Sequence, residues 1–447
     1  MTISRWKGFW LGLGVALGNW IGAPFARSAE TGDLGPREPA RDAPVVTLNV
    51  LVSETLESNP ELRYYRAEVE AAKGWRRDAA RLANPEVTGS FGPKSVRGGS
   101  VTEEGIAWSV GLQQPLEWPG RLSLRKAIAN RDVELAELGL ARFQVELATR
   151  VRGLGYRLLA AQELASAAAE VAQRFHDLRE VLVQRDPAGL TPLLETRVIE
   201  ATELNAQRKS ADAALQVESA TLELNRLRGV AATNRWLLGP TPLDFRPLVD
   251  REAALAAART NDFELRARMV ELVQQGFRVD LARNERYPGV SVGLTVSEES
   301  AGDRERIIGL SVSVPLPMWQ RNSGAVAAAR ARETQAEVSL EVARRESERK
   351  VLDAAVRYAS KVAEMGRWRP DAVRHFREAA EIADRHYRLG SVPISTYVEL
   401  QKQYLDAVET LLTTKQEALE AAAQLESLTG MAWVTLEVSV RDGEVVP

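Results

Sequence analysis

Apolar and polar residues follow two different periods along this chain. Over long stretches, small and apolar side chains recur at alternating spacings of three and four residues, which is the heptad rhythm of helices that pack as coiled coils. The clearest row comprises Val151, Leu154, Leu158, Ala161, Ala165, Ala168, Ala172 and Phe175. In shorter stretches every second residue is apolar, which predicts strands with two different faces. The pattern therefore predicts a mainly α-helical chain with a small β part.

Four segments have the strand period, with predicted bounds of 85–92, 105–114, 288–297 and 306–315. From Val290 to Ser297, for example, branched apolar residues alternate with Ser, Gly and Thr. A bulky face outside and a small polar face inside are what a lipid-exposed barrel around a wet lumen requires. The half-buried sheet of a soluble sandwich would show the same alternation.

The same order of elements occurs twice. Matching landmarks lie about 200 residues apart, which indicates a tandem duplication. The pairs are Asn59-Pro60-Glu61-Leu62 with Asn261-Asp262-Phe263-Glu264-Leu265, Gln114-Pro115-Leu116 with Val314-Pro315-Leu316, and Gly189-Leu190-Thr191-Pro192 with Gly390-Ser391-Val392-Pro393. The repeats are predicted at 47–229 and 251–430, with a linker at 230–250.

Each repeat contains a helix, two strands, a very long helix, a Gly/Pro turn and a returning helix. The first helices are predicted from about Thr47 to Leu82 and from about Asp250 to Glu285, the long helices at 120–186 and 322–389, and the returning helices at 192–229 and 393–430. Arg369-Pro370 interrupts the second long helix, so a kink or break is expected there. The helices alone would also suit a dimeric coiled-coil rod.

The two ends of the chain differ from the repeats. Residues 1–29 have a basic head with Arg5 and Lys7, an apolar middle and small residues before Ala29. This pattern predicts a secretory signal peptide and hence an exported protein, with an uncleaved membrane anchor as the alternative. Residues 30–46 are predicted to be an N-terminal leader, and residues 431–447 a C-terminal tail.

Composition removes several function classes. Lys and Arg number 58 against 61 for Asp and Glu, and this balance disfavours a general binder of polyanions. The chain has no cysteine, which excludes disulfide scaffolds, thiol catalysis and cysteine zinc sites. His176, His375 and His386 lack the spacing of metal ligands, so we predict structural or surface roles for them and no metal site. No catalytic triad, carboxylate dyad or phosphate-binding loop is legible, so we predict neither an enzyme nor a cofactor.

The strand count points to an oligomer. Four strands cannot close a barrel in lipid, and an open edge there leaves backbone groups unpaired. Several chains must therefore pool their strands. Two chains would give about eight strands and a filled interior, whereas three would give about twelve and leave room for a channel. This arithmetic favours a trimeric pore.

The sequence resembles a known family. The residues that carry the resemblance are the duplicated unit, the Asn-Pro-Glu-Leu opening at Asn59, the Gln-Pro-Leu-x-x-Pro-Gly-Arg stretch from Gln114 to Arg121, and the Arg-x-Gly-x-x-Pro turn from Arg388 to Pro393. Together they resemble the TolC family of outer-membrane efflux factors, and within it the heavy-metal branch of cobalt-zinc-cadmium or copper-silver pumps. Many relatives carry a lipidated N-terminal cysteine, which this chain lacks.

The resemblance implies a homotrimer with four strands per chain in a twelve-stranded barrel of the outer membrane of a Gram-negative bacterium. It also implies an α-helical tunnel through the periplasm. The implied partners are a periplasmic adaptor (a membrane fusion protein), an inner-membrane efflux pump and outer-membrane lipid, but no nucleic acid. Transport through this component would be passive. The competing interpretations are an exported coiled-coil scaffold protein of the cell envelope and, more remotely, an envelope enzyme.

The resemblance assigns roles to the two turns. Adaptor docking is expected at Gly189, Leu190, Thr191 and Pro192 and at Gly390, Ser391, Val392 and Pro393. Glycine supplies left-handed turn geometry and proline starts the returning helix at its first turn, although any helical hairpin needs the same chemistry. A periplasmic gate is expected at Glu195, Thr396 and Glu399. Thr396 departs from the usual acidic residue, and three Glu399 side chains in a ring would attract cations unless that helix face is simply solvated.

The junction between barrel and tunnel is expected at Pro115, Trp118, Pro315 and Trp319. The two prolines are predicted to redirect the chain where strands end. The two tryptophans follow at the level of the membrane interface, although ordinary packing would explain them equally well.

Overall fold

The computed structural model describes residues 44–99, 101–185, 193–239, 241, 243–248, 250–319, 321–368 and 371–436. The helices are α1 (Leu48–Ser58), α2 (Pro60–Ala79), α3 (Arg121–Arg185), α4 (Leu193–Arg228), α5 (Arg251–Asn261), α6 (Phe263–Asn284), α7 (Ser323–Arg367), α8 (Ala372–Arg388) and α9 (Ile394–Thr429). The strands are β1 (Val45–Val46), β2 (Glu86–Gly98), β3 (Val101–Leu116), β4 (Leu237–Leu238), β5 (Leu243–Phe245), β6 (Val290–Ala301), β7 (Asp303–Ser313) and β8 (Val434–Leu436). The prediction of a mainly α-helical chain with a small β part is confirmed.

The first helix of each repeat is two helices, which corrects the expectation of one continuous helix. Asn59 separates α1 from α2, and its extended ψ of 125° takes it out of the helix. Pro60 follows at the start of α2, where its missing N–H leaves no hydrogen bond unmade. Asp262 separates α5 from α6 in the same way, with ψ 117°.

The long helices of the two repeats differ. The first, α3, is continuous over 65 residues, or about 98 Å. The second is divided into α7 and α8, which end and begin at Arg367 and Ala372. The division brackets the Arg369-Pro370 dipeptide at which the sequence predicted a break, although these two residues lie outside the described ones. The heptad row of α3 faces the interior, since Val151, Leu158, Ala168 and Phe175 are buried.

The two hairpins form one antiparallel sheet in the order β2-β3-β6-β7. The repeats meet where β3 pairs with β6, from Ile106 opposite Ser300 to Leu116 opposite Val290. Both hairpins extend further than predicted: Gly98 pairs with Val101 and Ala301 with Asp303. The charged segments between the predicted strands of each hairpin continue the strands, because backbone pairing does not depend on side-chain polarity.

Seven of the nine helices in the described part of the chain form two layers of four that share α3. Beside them α1 packs on α3 and α4, and α5 packs on α7 and α9, where α7 also contacts α9. In the sheet-side layer, whose helices connect directly to the sheet, the order is α2-α3-α6-α7. In the turn-side layer, which ends at the Gly/Pro turns, the order is α4-α3-α9-α8. The largest core cluster lies in the turn-side layer and includes Phe175, Ile199, Tyr397 and Leu405. As in the sheet, the first repeat provides one edge of each layer and the second repeat provides the other.

Two small sheets lie beside the linker between the repeats. β1 pairs with β4 in parallel, and β5 pairs with β8 in antiparallel orientation. Asn225, fully buried on α4, donates to the backbone oxygens of Ala232 and Asn234 and accepts from Trp236 Nε1 at 2.8 Å. This side chain therefore fixes the linker against the end of the first repeat. Among the helices of the described residues, none is long and apolar enough to cross a membrane.

Candidate functional site

The four-stranded sheet has two chemically different faces, which we call the bulky face and the polar face. Side chains of the bulky face are exposed and apolar, and they comprise Val87, Phe91, Ile106, Val110, Leu112, Leu294, Ile308, Leu310 and Val312. The strand register places them on one side, since Val87 lies opposite Leu112, Leu112 opposite Leu294 and Leu294 opposite Leu310. An exposed apolar face of this size indicates contact with lipid or with another protein.

The polar face is lined by small hydroxyl side chains. Ser90 lies opposite Ser109, which lies opposite Ser297, and the hydroxyl oxygens of Ser90 and Ser109 are 2.8 Å apart. Thr295 Oγ1 donates to the backbone oxygen of Gly309 at 3.3 Å. Near the hairpin ends this face also carries an ion pair between Lys94 and Glu299, at 2.6 Å. Such a face suits contact with water and ions.

The expected junction residues lie where the sheet meets the helices. Pro115 lies inside β3 opposite Ser291, which corrects the expectation that the strand ends before it. The pairing of β3 with β2 ends at Gln113, so one side of β3 is free at Pro115 and tolerates a missing N–H. Pro315 follows the end of β7, as expected. Trp118 stacks on Tyr287 with ring centroids 4.9 Å apart, whereas Trp319 is 93% exposed.

Arg121 and Asn284 fix this junction, and no sequence motif indicated a role for Asn284. Arg121 Nε donates to Asn284 Oδ1 at 3.2 Å, and Arg121 Nη2 donates to the backbone oxygen of Tyr287 at 2.8 Å. Asn284 Nδ2 donates to the backbone oxygen of Pro119 at 2.9 Å. The start of α3 is thus held to the end of α6, which joins the two repeats. In the sequence, only the place of Arg121 at the end of the Gln-Pro-Leu-x-x-Pro-Gly-Arg stretch pointed to this junction.

The described turn of the second repeat has an exposed surface. Gly390 adopts φ 70°, and the N–H of Ser391 donates to the backbone oxygen of His386 at 2.9 Å, which closes α8. Pro393 is the N-cap of α9 rather than its first residue, because its ψ of 156° is extended. Gly390, Ser391 and Pro393 are exposed, and Val392 is half-buried. Gly189, Leu190, Thr191 and Pro192 of the other turn lie outside the described residues.

The expected gate residues lie beside the turns. Thr396 and Glu399 are exposed in the first turns of α9, and Gln403 Nε2 donates to Glu399 Oε1 at 3.0 Å. Glu195 is half-buried in the first turn of α4. Burial, together with the nearby Glu195 carboxylate, raises the pKa of Tyr387 on α8. The chain therefore brings acidic groups of both repeats to the turn-side end.

Aromatic side chains pack beneath the exposed residues Thr396 and Glu399 of α9. Tyr397 is fully buried, stacks on Tyr387 at 5.2 Å between ring centroids and contacts the edge of Phe175 at 5.3 Å. Burial, with the carboxylate of Asp384 nearby, also raises the pKa of Tyr397. The stacked rings join α3, α8 and α9 directly behind Thr396 and Glu399. A movement of the gate would therefore have to carry or break this packing.

The histidines do not converge. His176 Nδ1 lies 3.1 Å from Oε1 of the buried Glu203, which links α3 to α4. His375 and His386 are exposed on α8. Within the part of the chain that the structure describes, no group of three or more His, Asp or Glu side chains is arranged to hold a metal ion.

Helices at the layer edges expose apolar side chains. Those of the sheet-side layer are Tyr64 and Trp75 on α2 and Val338, Val342, Leu352 and Val356 on α7. Those of the turn-side layer are Val198, Leu204 and Leu215 on α4 and Phe376 and Ile382 on α8. The sheet likewise ends in β2 and β7, whose outer sides have no strand beside them among the described residues. Each edge therefore resembles an interface that lacks its partner.

Comparison with known proteins gives a consistent result. The outer membrane efflux protein family matches the chain in two ranges, residues 51–230 and 254–431. The cobalt-zinc-cadmium resistance protein CzcC of Cupriavidus metallidurans is 27% identical over 320 residues, which cover 70% of this chain and 73% of CzcC.

Solved structures share the fold. The structure of CusC has a TM-score of 0.68 at 16% identity and covers 86% of this chain and 91% of its own. The outer membrane channel CmeC of Campylobacter jejuni has a TM-score of 0.69 at 15% identity, with coverage of 86% and 85%. At these identities the likeness shows the fold alone.

Proposed function

The chain belongs to the outer membrane efflux protein family and is the outer-membrane duct of a tripartite efflux system, and we propose that the cargo of this duct is a divalent heavy-metal cation. Channels of this family are homotrimers that work with a periplasmic adaptor and an inner-membrane pump. They lie in the outer membrane of Gram-negative bacteria and extend into the periplasm, and they are ducts rather than enzymes.

The edges of the helix layers and of the sheet support a specific contact between neighbouring copies of the chain, which would close the trimer into a ring. In each layer one edge comes from the first repeat and the other from the second, so a neighbouring copy can continue every layer by the same contact. In a closed ring β7 would pair with β2 of the next copy, α7 would pack on its α2, and α8 on its α4. This head-to-tail contact covers the apolar residues of all four edge helices at once. It also pairs the two open strand edges, which lipid would otherwise leave unpaired.

The chemistry of the two faces of the sheet supports which face is toward lipid and which is toward the lumen. With the bulky face toward lipid, the hydroxyl side chains of Ser90, Ser109 and Thr295 line the lumen. Hydroxyl groups donate and accept hydrogen bonds and so replace part of the hydration of a passing ion without holding it tightly. A wall of this kind suits passive conduction.

Two observations support a cationic cargo. CzcC, whose name is that of a cobalt-zinc-cadmium resistance protein, is a relative over most of the chain. Glu195 and Glu399 provide carboxylates near the turns, and three copies would surround the path with six of them. Rings of carboxylates favour cations over anions. We therefore place the gate at Glu195, Thr396 and Glu399, with Glu399 as its selective group.

We place adaptor docking at the two Gly/Pro turns. Gly390, Ser391 and Pro393 are exposed, and Leu389 beside them exposes most of its apolar side chain. An exposed leucine next to a closed helix end offers an anchor for a partner helix. Gly189, Leu190, Thr191 and Pro192 would provide the equivalent surface of the first repeat.

The observation that carries the proposal is the exposed Glu399 beside the turn of a duct protein, and planar-bilayer recording tests it. Purified protein should have the mass of a trimer after correction for detergent, and its channels should prefer cations. We expect Glu399→Gln to move the reversal potential in a salt gradient toward zero, because it removes three carboxylates from the ring. Glu57→Gln, which removes an exposed carboxylate on α1, a helix outside the layer edges, is the matched control and should leave the reversal potential unchanged.

Bi-ionic recording with CoCl₂ or ZnCl₂ on one side tests the cargo. Inward current carried by the divalent cation is expected for the wild-type channel and should fall in Glu399→Gln. A channel that conducts K⁺ but excludes Co²⁺ and Zn²⁺ would contradict the proposed cargo and leave the duct itself intact.

A further inference from the structure

We propose that Arg304 and Arg306 form a binding site for the phosphate groups of the glycolipid in the outer leaflet of the membrane. Both residues lie on β7 close to the hairpin end, and their side chains are 76% and 64% exposed. The register places Arg306 opposite Glu298 and Arg304 opposite Ser300. They therefore continue the row of Ile308, Leu310 and Val312 on the bulky face.

The depth of this pair can be estimated from the strand beside it. On β3 the bulky face runs from Leu116 at the helix end to Ile106 toward the hairpin end, and both side chains are exposed. At ~3.4 Å per residue and a tilt of ~40°, this run rises roughly 26 Å along the membrane normal. An apolar band of about 25 Å is what a transmembrane barrel presents to lipid.

The register then places Arg304 at the boundary of that band and Arg306 two residues inside it, from where its long side chain can extend to the boundary. Ile106 lies opposite Ser300, which lies opposite Arg304, and Trp108 lies opposite Glu298, which lies opposite Arg306. The other boundary carries Trp118 and Trp319, next to the helices. Because the helices extend into the periplasm, the arginines lie at the level of the outer headgroups.

Glu298 orients the two guanidinium groups without neutralising both. Arg306 Nη2 donates to Glu298 Oε2 at 2.9 Å, and Arg304 Nε lies 3.4 Å from Glu298 Oε1. The Glu298 side chain is only 14% exposed, whereas both arginines reach solvent. One carboxylate against two guanidiniums leaves a cationic surplus at the surface. Guanidinium groups bind phosphate oxygens in a two-pronged geometry.

Closure of the ring would add a third guanidinium beside the site, with one more carboxylate near it, because Glu104 of β3 lies opposite Ser95 on the same face as Arg97. β7 is an edge strand, and the proposed closure places it against β2 of the next copy. Arg97 of β2 lies on the same face, because it alternates with Pro93 and Ser95, and it is exposed near the hairpin end. The phosphate site would then lie at each boundary between copies.

Charge and position together favour glycolipid over phospholipid. Arg304 and Arg306 are two residues apart on the same face, so their Cα atoms are separated by about 6.8 Å. Two guanidinium groups at this distance suit a headgroup with more than one phosphate. The outer leaflet of a Gram-negative outer membrane consists mainly of such a phosphorylated glycolipid. Phospholipids of the inner leaflet would meet the other boundary of the band.

Native mass spectrometry of the purified trimer tests the site, with bisphosphorylated lipid A, dephosphorylated lipid A and phosphatidylglycerol as the titrated probes. We expect the wild-type trimer to bind bisphosphorylated lipid A about tenfold or more tightly than the dephosphorylated form. Arg304→Gln with Arg306→Gln should remove this preference. Arg235→Gln with Arg246→Gln, which removes two exposed arginines of the linker away from the edge helices, is the charge-matched control and should keep it.

Three results would overturn the proposal: equal binding of the two lipid A forms by the wild-type trimer, an unchanged preference in the Arg304 and Arg306 variant, or equally tight binding of phosphatidylglycerol. The first and third need no variant and hold even if the double substitution fails to assemble. Ion conductance of the assembled double variant should match that of the wild type, because both arginines lie on the face opposite the lumen. A loss of conductance in the assembled double variant would count against the assignment of both arginines to the lipid-facing side of the sheet.

Discussion

At the residue scale, Asn59 of the first repeat makes two hydrogen bonds, one that caps a helix and one to the returning helix. In the second repeat two different residues make the corresponding bonds. Asn59 accepts from the N–H of Glu61 at 2.8 Å, which caps α2, and donates to the backbone oxygen of Leu227 at 2.8 Å. In the second repeat Asp262 caps α6 by accepting from the N–H of Glu264. Asn261 donates to the backbone oxygen of Thr429 at 2.7 Å. The bonds from Asn59 to Leu227 and from Asn261 to Thr429 each hold the helix break of a repeat to the end of its returning helix.

This division predicts unequal costs of substitution. Asn59→Ala removes a cap, worth about 1 kcal/mol, and leaves the Leu227 carbonyl unpaired at a buried site, which costs about 1–3 kcal/mol more. Asn261→Ala removes only the second bond, at an exposed side chain, and should cost about 1 kcal/mol. Hydrogen exchange of the Glu61 and Glu264 amides measures both effects locally. Equal loss of protection at the two sites would contradict the division.

The sequence could indicate the landmark but not its role. The Asn-Pro-Glu-Leu motif marks a helix start, since asparagine is a common N-cap and proline a common first residue. The residues before Asn59 have a helical pattern, so the sequence predicts a continuous helix through the break. The bond to Leu227 joins positions far apart in the chain, and only tertiary structure reveals it. The same limit hid Asn284 at the junction.

At the scale of elements, the strand faces were predictable and the strand ends were not. Alternation of branched and small residues identified both hairpins and both faces of the sheet. The predicted strands are too short at the hairpin ends, because charged residues such as Lys94, Glu103, Glu299 and Arg304 are more typical of loops than of strands. In the structure the backbones of these residues stay paired. Lys94, Glu103 and Glu299 lie on the polar face, whereas Arg304 lies at the end of the apolar band on the bulky face. Side-chain polarity reports the environment of a strand better than its length.

Small residues on the polar face should be required where the strands are most crowded. A Cβ atom on Gly293 would lie 2.7 Å from the backbone oxygen of Leu112, whereas one on Gly92 of the same face would meet nothing within 4 Å. We therefore expect Gly293→Ala to destabilise the assembled trimer by about 1–3 kcal/mol through overpacking. Gly92→Ala should stay within about 0.5 kcal/mol of the wild type.

Thermal dissociation of the trimer on semi-native gels measures both variants. A lower midpoint for Gly293→Ala with an unchanged midpoint for Gly92→Ala is the expected pattern. If the two variants dissociate at the same temperature, the crowding at Gly293 does not limit the assembled sheet.

At the scale of the whole molecule, the fold class and the duplication were predictable, but the neighbour order was not. Periodicity and repeated landmarks gave the helices, the hairpins and the need for several chains. They could not say that α3 lies between α2 and α6, or that α9 separates α3 from α8. These neighbours are chosen by packing between distant segments. The edge helices, and hence the contact between copies, became visible only with that order.

Covalent cross-linking tests the contact between copies. Leu204 on α4 and Phe376 on α8 are exposed and lie at similar distances along the chain from their turns. Because the chain has no cysteine, Leu204→Cys with Phe376→Cys introduces the only reactive pair. A short bis-maleimide should convert this variant to covalent trimers. Leu204→Cys with Arg332→Cys, which places the second thiol in the sheet-side layer, should remain monomeric on denaturing gels and serves as the control.

The division of only one of the two long helices has a consequence for symmetry. A ring of three duplicated chains contains six similar units, and six equal units would give it sixfold symmetry. The break between α7 and α8, together with Thr396 where the first repeat has Glu195, makes alternate units different. A ring closed as proposed would therefore be threefold, and two kinds of contact between helices would alternate around its turn-side end. A partner built from six identical hairpins would have to bind the two kinds unequally.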